Sequence, residues 1–240
     1  VNSGFSFKYF TVVQDRTALK VGTDSMLLGA LIKAQNPIRC LDLGSGSGVL
    51  ALMACQQFSN ARIDAIEIDI SSFKDCVHNF ENSPWSNRLN AIHGDYFSFE
   101  FTGKYDLIIS NPPFYLEASS QAKGFNIRSK HTTKDMFFNF MLRAKNLLSK
   151  DGKLWLILPY RHLDLIMSYA KTHELFINSR IIINAKVTKP KSRIVLCLSI
   201  NKSLPNEQTI TVRNEDNSYT DAYINLTREF HSKQLKSNFK

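Results

Sequence analysis

From residue 39 onward the chain alternates short β-rich runs with longer helical ones, and that alternation leaves few folds open. RCLDL (39–43) is a short apolar strand ending in a glycine cluster, and VLALMACQQF (49–58) repeats its apolar residues at helical spacing. RIDAIEI (62–68) alternates as a strand, 70–82 reads as a helix, and 89–93 and YDLIIS (105–110) read as strands. KDMFFNFMLRAKNLL (134–148) is an amphipathic helix that Asp151-Gly152 is expected to stop. KLWLIL (153–158) follows as a buried strand and 161–172 as a helix. Two β-rich runs, 177–187 and 192–200, are joined by a turn around Pro190, and a weak strand at 208–213 precedes a helix near 219–230. Strands separated by helices imply βαβ units: an α/β fold with a mostly parallel sheet covered on both faces. The two closing strands lack a helix between them, which predicts an antiparallel hairpin at one edge. With no internal repeat and no linker of interdomain length, one domain with a short N-terminal extension is the simplest account.

In open sheets of this kind ligands bind beyond the carboxyl ends of the strands, and the chemistry-bearing residues lie there. After the first strand comes Asp42-Leu43-Gly44-Ser45-Gly46-Ser47-Gly48. Glycines at alternate positions let the backbone turn sharply and approach a ligand, with the next helix aiming its N–H groups at it. Any tight corner uses glycine, so the turn alone is weak evidence. It is shorter than the GxGxxG of dinucleotide folds and suits a nucleoside ligand without a pyrophosphate. The second strand ends at Glu67, about 20 residues on, where a carboxylate can accept both ribose hydroxyls. Asp69 reads as a helix N-cap. After the third strand, Asp95 is a candidate acceptor for an adenine amino group or an ordinary turn residue, with Tyr96 beside it.

The sharpest signal follows the fourth strand: Ser110-Asn111-Pro112-Pro113-Phe114-Tyr115. Two prolines in a row fix φ and lack N–H groups, so they make a rigid corner rather than more strand. The corner frees the Asn111 side-chain carbonyl and the Pro112 main-chain carbonyl as two acceptors, with Phe114 as an aromatic plate. A planar amide or aminoheterocycle needs such a set. A plain turn with a core phenylalanine is the competing reading.

The 240 residues carry a formal charge of +9, unevenly placed. Windows 117–134, 186–193 and 228–240 hold +3, +4 and +3, so the remainder nets −1. A near-neutral body with basic loops is the pattern of a polyanion binder. No apolar run approaches the ~18 residues of a membrane span, and VNSGFSFKYF lacks the features of a secretory signal. Cys40, Cys55, Cys76 and Cys197 are far apart, without metal-ligand spacing, and sit among apolar neighbours as reduced core thiols would. A cytoplasmic protein is expected; secreted, membrane and zinc-ribbon classes are excluded.

DLGSGSG (42–48), Glu67, Asp95 and NPPF (111–114), in this order, resemble the class I S-adenosylmethionine-dependent methyltransferases of the amino-methylating branch. With FKYFTVVQDRTALKVGTDSMLLGA (7–30), NSPW (82–85), DLIISNPPFY (106–115), KHTT (130–133) and SYTDAY (218–223), the chain resembles the bacterial tRNA-Val adenine-37 N6-methyltransferases. The resemblance implies a Rossmann-like fold with a mostly parallel seven-stranded sheet and a C-terminal antiparallel hairpin. It implies residues 1–30 as an extension packing on the donor site and 31–240 as the methyltransferase domain. The donor S-adenosylmethionine would lie over Asp42, Gly44, Gly46, Gly48 and Glu67, with Asp95 and Tyr96 at its adenine and Thr23 and Asp24 at its methionine end. Lys130 stands where the family frequently has arginine.

Within that resemblance Asn111 and Pro112 would accept the N6 hydrogens and Phe114 would hold the unstacked base. Pro113, Tyr115, Arg128, Lys130, His131, Lys189, Lys191 and Arg193 would engage tRNA, at its anticodon loop. No basic side chain is nominated as a proton acceptor. Three rivals stay open: a guanine-N2 methyltransferase of ribosomal RNA, a glutamine-N5 protein methyltransferase, and an RNA-binding module with a nucleotide site.

Overall fold

The computed structural model describes residues 4–17, 19–112, 133–233 and 235. A small antiparallel ribbon, β1 (Phe5–Ser6) with β2 (Thr11–Val12), leads into α1 (Thr23–Leu31). Sequence patterning does not mark α1 because it is apolar nearly all round: Ser25, Met26, Leu27, Leu28, Gly29 and Leu31 are all buried, so no stripe stands out. Then come β3 (Arg39–Leu43), α2 (Val49–Gln57), β4 (Arg62–Glu67), α3 (Ile70–Glu81), β5 (Leu89–His93) and β6 (Tyr105–Ser110). The second half runs α4 (Thr133–Leu147), β7 (Leu148–Pro159), α5 (Leu163–Thr172), β8 (Phe176–Lys186), β9 (Arg193–Ser199), β10 (Asn206–Arg213) and α6 (Asp221–Thr227).

One sheet takes the order β10-β8-β9-β7-β6-β3-β4-β5. β9 is antiparallel to both neighbours, and the other adjacent pairs are parallel. The mostly parallel sheet and the antiparallel β8–β9 hairpin are therefore as the sequence predicts, with two corrections. The sheet has eight strands rather than seven, because β10 pairs along β8 in the register Gln208↔Ile181, Ile210↔Ile183. The hairpin is consequently not the edge: β9 inserts between β7 and β8, and β10 satisfies the backbone groups that β8 would otherwise expose. A third expectation also changes. α4 ends at Leu147 and β7 starts at Leu148, so Asp151-Gly152 does not stop the helix. It lies where the β6–β7 register slips between Tyr105↔Leu148 and Leu107↔Lys153. A Cβ at Gly152 would stand 2.6 Å from the Tyr105 carbonyl oxygen, so close backbone approach explains the glycine.

Alternate residues of the central strands feed two cores. Leu107, Ile109, Trp155 and Ile157 pack with α1 and α2, whereas Ile108, Leu154, Leu156 and Leu158 pack with Phe137, Phe140 and Ile166 of α4 and α5. All four cysteines are buried and unpaired. Desolvation pushes each thiol up, Cys55 to about 11 and Cys197 to about 12. No helix among the described residues is long and apolar enough to cross a membrane.

Candidate active site

β3 has β4 on one side and β6 on the other, so the sheet order reverses at β3, the point beyond whose carboxyl end open α/β sheets form their ligand crevice. The glycine turn follows β3 at that point. Gly44, Gly46 and Gly48 have φ of 73°, 54° and 79°, a region that side-chain-bearing residues rarely adopt. Gly48 is further constrained, since a Cβ there would meet Phe80 at 2.5 Å and Cys76 Sγ at 2.8 Å. Gly44 differs: among the described residues nothing lies within 4 Å of where its Cβ would stand, which leaves room there for a ligand.

Glu67, at the end of β4, accepts from Gly46 N–H on one carboxylate oxygen and from Asp69 N–H on the other, both at 2.8 Å. The carboxylate thus shapes the glycine turn. Asp69 caps α3 by accepting from Ser72 N–H at 2.7 Å, as the sequence suggests. Asp95 lies in the next loop, which Gly94 ties to β4 by donating to the Glu67 carbonyl oxygen. Its Oδ1 accepts from Phe97 N–H at 2.9 Å, and buried Tyr96 packs on Phe97 and Phe140. Asn111 and Pro112 follow β6, the first half-buried and the second buried. Ser110 fixes them beside the glycine turn, its hydroxyl donating to the Leu43 carbonyl oxygen at 2.6 Å. Pro113, Phe114, Tyr115, Arg128, Lys130 and His131 lie outside the described residues.

Asp42 is wholly buried behind the turn. Its Oδ2 accepts from Ala51 N–H at 3.2 Å, and its Oδ1 has no hydrogen-bond partner among the described residues. Desolvation pushes this carboxyl up to about 7, with the Ala51 bond opposing the rise and the Glu67 charge adding to it. Between its ordinary value of 3.8 and about 7 the folded chain holds a proton that the unfolded chain has lost. The stability tied to this site is therefore complete at low pH and declines as pH rises through that window. Thermal melts at pH 5 and pH 8 should show the parent losing more melting temperature than Asp42→Asn, whose site does not titrate; parallel losses would contradict the shift.

The basic turn between β8 and β9 reaches the same edge of the sheet as Asn111, because β8 runs parallel to β10 and antiparallel to β9 while β9 opposes β7. β7 and β9 separate it from β6, a distance of roughly 10–15 Å at ordinary strand spacing. Lys189 and Lys191 are exposed. The Lys191 ammonium lies 5.3 Å from the centre of the Tyr160 ring, a residue at the end of β7 that sequence reading does not single out. Arg193 turns the other way, with Nε 2.8 Å from Asp24 Oδ2. Two residues assigned from sequence to different ligands are thus an ion pair. Thr23 and Asp24 open α1, whose Gly22 cap offers no side-chain bond.

Sequence reasoning also misses a strap. Residues 13–17 cross the glycine turn and are held by α3. Asp75 accepts from Arg16 and Thr17 N–H, and Asn79 accepts from Val13 N–H while donating to the Val13 and Ser47 carbonyls. The available signal is polar Ser72, Asp75 and Asn79 at helical spacing on the face that also carries Cys76 and Phe80.

The family described as methyltransferase small domain matches residues 16–186. The chain belongs to that family. The tRNA1(Val) (adenine(37)-N6)-methyltransferase of Flavobacterium psychrophilum is 38% identical over 232 residues, covering 95% of this chain and 99% of its own. The enzyme of the same name from Actinobacillus pleuropneumoniae serotype 7 is 32% identical over 231 residues, covering 96% and 98%. Over nearly the full length of both partners, this methyltransferase and those relatives form one family. Among solved structures, a predicted O-methyltransferase from Agrobacterium tumefaciens superposes with a TM-score of 0.65 at 16% identity, covering 86% of this chain and 96% of its own. The m1A22 tRNA methyltransferase of B. subtilis gives 0.55 at 17%, covering 77% and 68%. These two likenesses concern the fold: a class I methyltransferase sheet.

Proposed function

We propose that this methyltransferase transfers a methyl group from S-adenosylmethionine to the exocyclic N6 of adenine 37 in tRNA1(Val). The observation that carries the reading is the placement of Asn111-Pro112 beside an open glycine turn at the point where the sheet order reverses. The residues present fit the donor. Among the described residues the space at Gly44 admits close approach and Asp42 Oδ1 is a buried acceptor without a partner. Glu67, which already accepts from Gly46 and Asp69 N–H, would offer its remaining lone pairs to the ribose hydroxyls. Asp95 and Tyr96 would border the adenine, and Thr23 and Asp24 the methionine end, with residues 1–30 as the extension over this site and 31–240 as the methyltransferase domain. When bound, the donor supplies an electrophilic methyl on a sulfonium sulfur.

The chain's own part is to make a poor nucleophile competent. The N6 lone pair of adenine is delocalised into the ring. Acceptance of both N6 hydrogens, by Asn111 Oδ1 and the Pro112 carbonyl, draws the nitrogen toward sp³ geometry and favours the positive charge that develops on it. Phe114, with Pro113 and Tyr115, is the proposed platform for a base that has left its stack, and an anticodon loop offers such a base at low cost. Arg128, Lys130 and His131, with the turn bearing Lys189 and Lys191, would hold the RNA backbone. A tRNA substrate implies a cytoplasmic setting.

Mass mapping of nucleosides after incubating bulk tRNA with the chain and the donor tests the reading. N6-methyladenosine at position 37 of tRNA1(Val) is expected; methylguanosine, or a labelled protein glutamine, would replace it with a rival. Reversing the turn's charge, with Lys189→Glu and Lys191→Glu together, should weaken tRNA binding roughly tenfold at moderate salt and less at high salt. Filter binding across a salt series measures this, and an unchanged curve would remove the turn from the RNA surface.

A further inference from the structure

The turn at 186–193 divides its charges between two directions. Lys189 and Lys191 face solvent, whereas the Arg193 guanidinium is held on two sides. Its Nε donates to Asp24 Oδ2 at 2.8 Å, bridging 169 residues of chain, and its Nη1 donates to the Ser192 carbonyl at 3.0 Å. The Arg193 and Asp24 side chains are 33% and 25% exposed, so the pair is partly desolvated and less screened than a surface bridge. The arginine is rigidly mounted, since the Arg193 backbone pairs with Pro159 on one side and Ile183 on the other. Asp24 sits in the first turn of a helix whose glycine N-cap has no side chain to bond that turn, so Arg193 supplies the side-chain contact there.

We infer that Arg193 is a positioning residue for the methyl donor, pinning the Asp24 carboxylate at the end of the cleft, and not a contact to RNA. The inference rests on the reading of Thr23 and Asp24 as the methionine-end subsite. The physical content is simple. A carboxylate that is to receive an ammonium group must be oriented before the ligand arrives, and a fixed guanidinium holds it so. The same pair ties α1 to the strand end that carries the basic turn, joining the two halves of the site across the sheet edge.

The test uses the full chain and S-adenosylhomocysteine without tRNA, followed by calorimetry, alongside filter binding of tRNA without donor across a salt series. Arg193→Gln should weaken S-adenosylhomocysteine binding ~10-fold, and Arg193→Lys should recover part of the loss. The salt slope of tRNA binding should stay as in the parent. Asp24→Asn should weaken the nucleoside to a similar extent, and the double variant should be no weaker than the worse single one, as one shared interaction requires. Additive losses would overturn the inference. So would unchanged nucleoside affinity in Arg193→Gln with a salt slope lower by about one, the signature of a lost phosphate contact. Failure of the tRNA reading is a separate result, because it would show in the nucleoside mapping while this binding series stood.

Discussion

Replacing Asn111 by alanine is expected to cut methyl transfer by ~100-fold or more while leaving tRNA affinity nearly unchanged. The separation follows from the proposed role of Asn111 as an acceptor for the N6 hydrogens. Adenine in the ground state needs no acceptor at N6 to remain bound, since stacking and backbone contacts hold the RNA. The acceptor matters as positive charge develops on nitrogen, so its loss is felt in turnover and not in binding. The Pro112 carbonyl belongs to the main chain and survives the substitution, which sets a floor under the remaining activity. Asn111→Asp keeps an acceptor oxygen and should retain more activity than Asn111→Ala. Single-turnover assays at saturating donor and tRNA give the rate, and filter binding gives the affinity. An equal fall in both would make Asn111 a support of the turn, because Ser110 anchors this corner to the glycine turn through the Leu43 carbonyl.

What was legible in the sequence is what short-range geometry dictates. Three glycines at alternate positions after an apolar strand demand left-handed backbone, and all three have it. An acid at the next strand end meets that turn because parallel neighbours place their carboxyl ends together, and Glu67 bonds Gly46. Contacts that join distant segments left little local trace. Asp75 and Asn79 find their strap partners 58 to 66 residues away, so their polar spacing on a buried helix face shows that a partner exists but not which segment supplies it. Arg193 read as one more cation in a basic run because charge counts carry no direction. Two family-like motifs turn out to have packing roles. Trp85 of NSPW meets Phe10 of the N-terminal run at 5.6 Å between ring centres. Thr220 of SYTDAY caps α6 by accepting from Tyr223 N–H, while Tyr219 and Tyr223 stack at 4.7 Å. In the C-terminal basic window Glu229 bridges both Arg228 and Lys8, tying that segment to the N-terminal run.

The strap yields the second large effect: Asp75→Ala should lower unfolding free energy by about 3 kcal/mol and raise the donor concentration needed for half-maximal rate. Asp75 is wholly buried, and its Oδ2 accepts from Arg16 N–H at 2.8 Å and Thr17 N–H at 2.9 Å. Alanine strands the buried Thr17 donor, at a cost of ~1–3 kcal/mol, and removes the acceptor of the part-buried Arg16 N–H as well. The Arg16 guanidinium, 3.0 Å from Oδ1, adds little to that cost because its side chain is 54% exposed and stays hydrated. Asp75→Asn retains one acceptor oxygen and should lose less. The functional consequence comes from what the strap touches. Thr17 Oγ1 lies 3.7 Å from where a Cβ on Gly46 would stand, and Asn79, one helical turn beyond Asp75, clasps the Val13 backbone and the Ser47 carbonyl together. A strap freed at Arg16 and Thr17 leaves the glycine turn supported from one side only, so the donor must organise what the fold now organises in advance. Urea unfolding should show a lower midpoint at unchanged m, as expected when native contacts are lost and the denatured chain is not altered. A midpoint like the parent's would mean that Asp75 does not hold the strap, and normal donor dependence in a destabilised variant would separate the strap from the site.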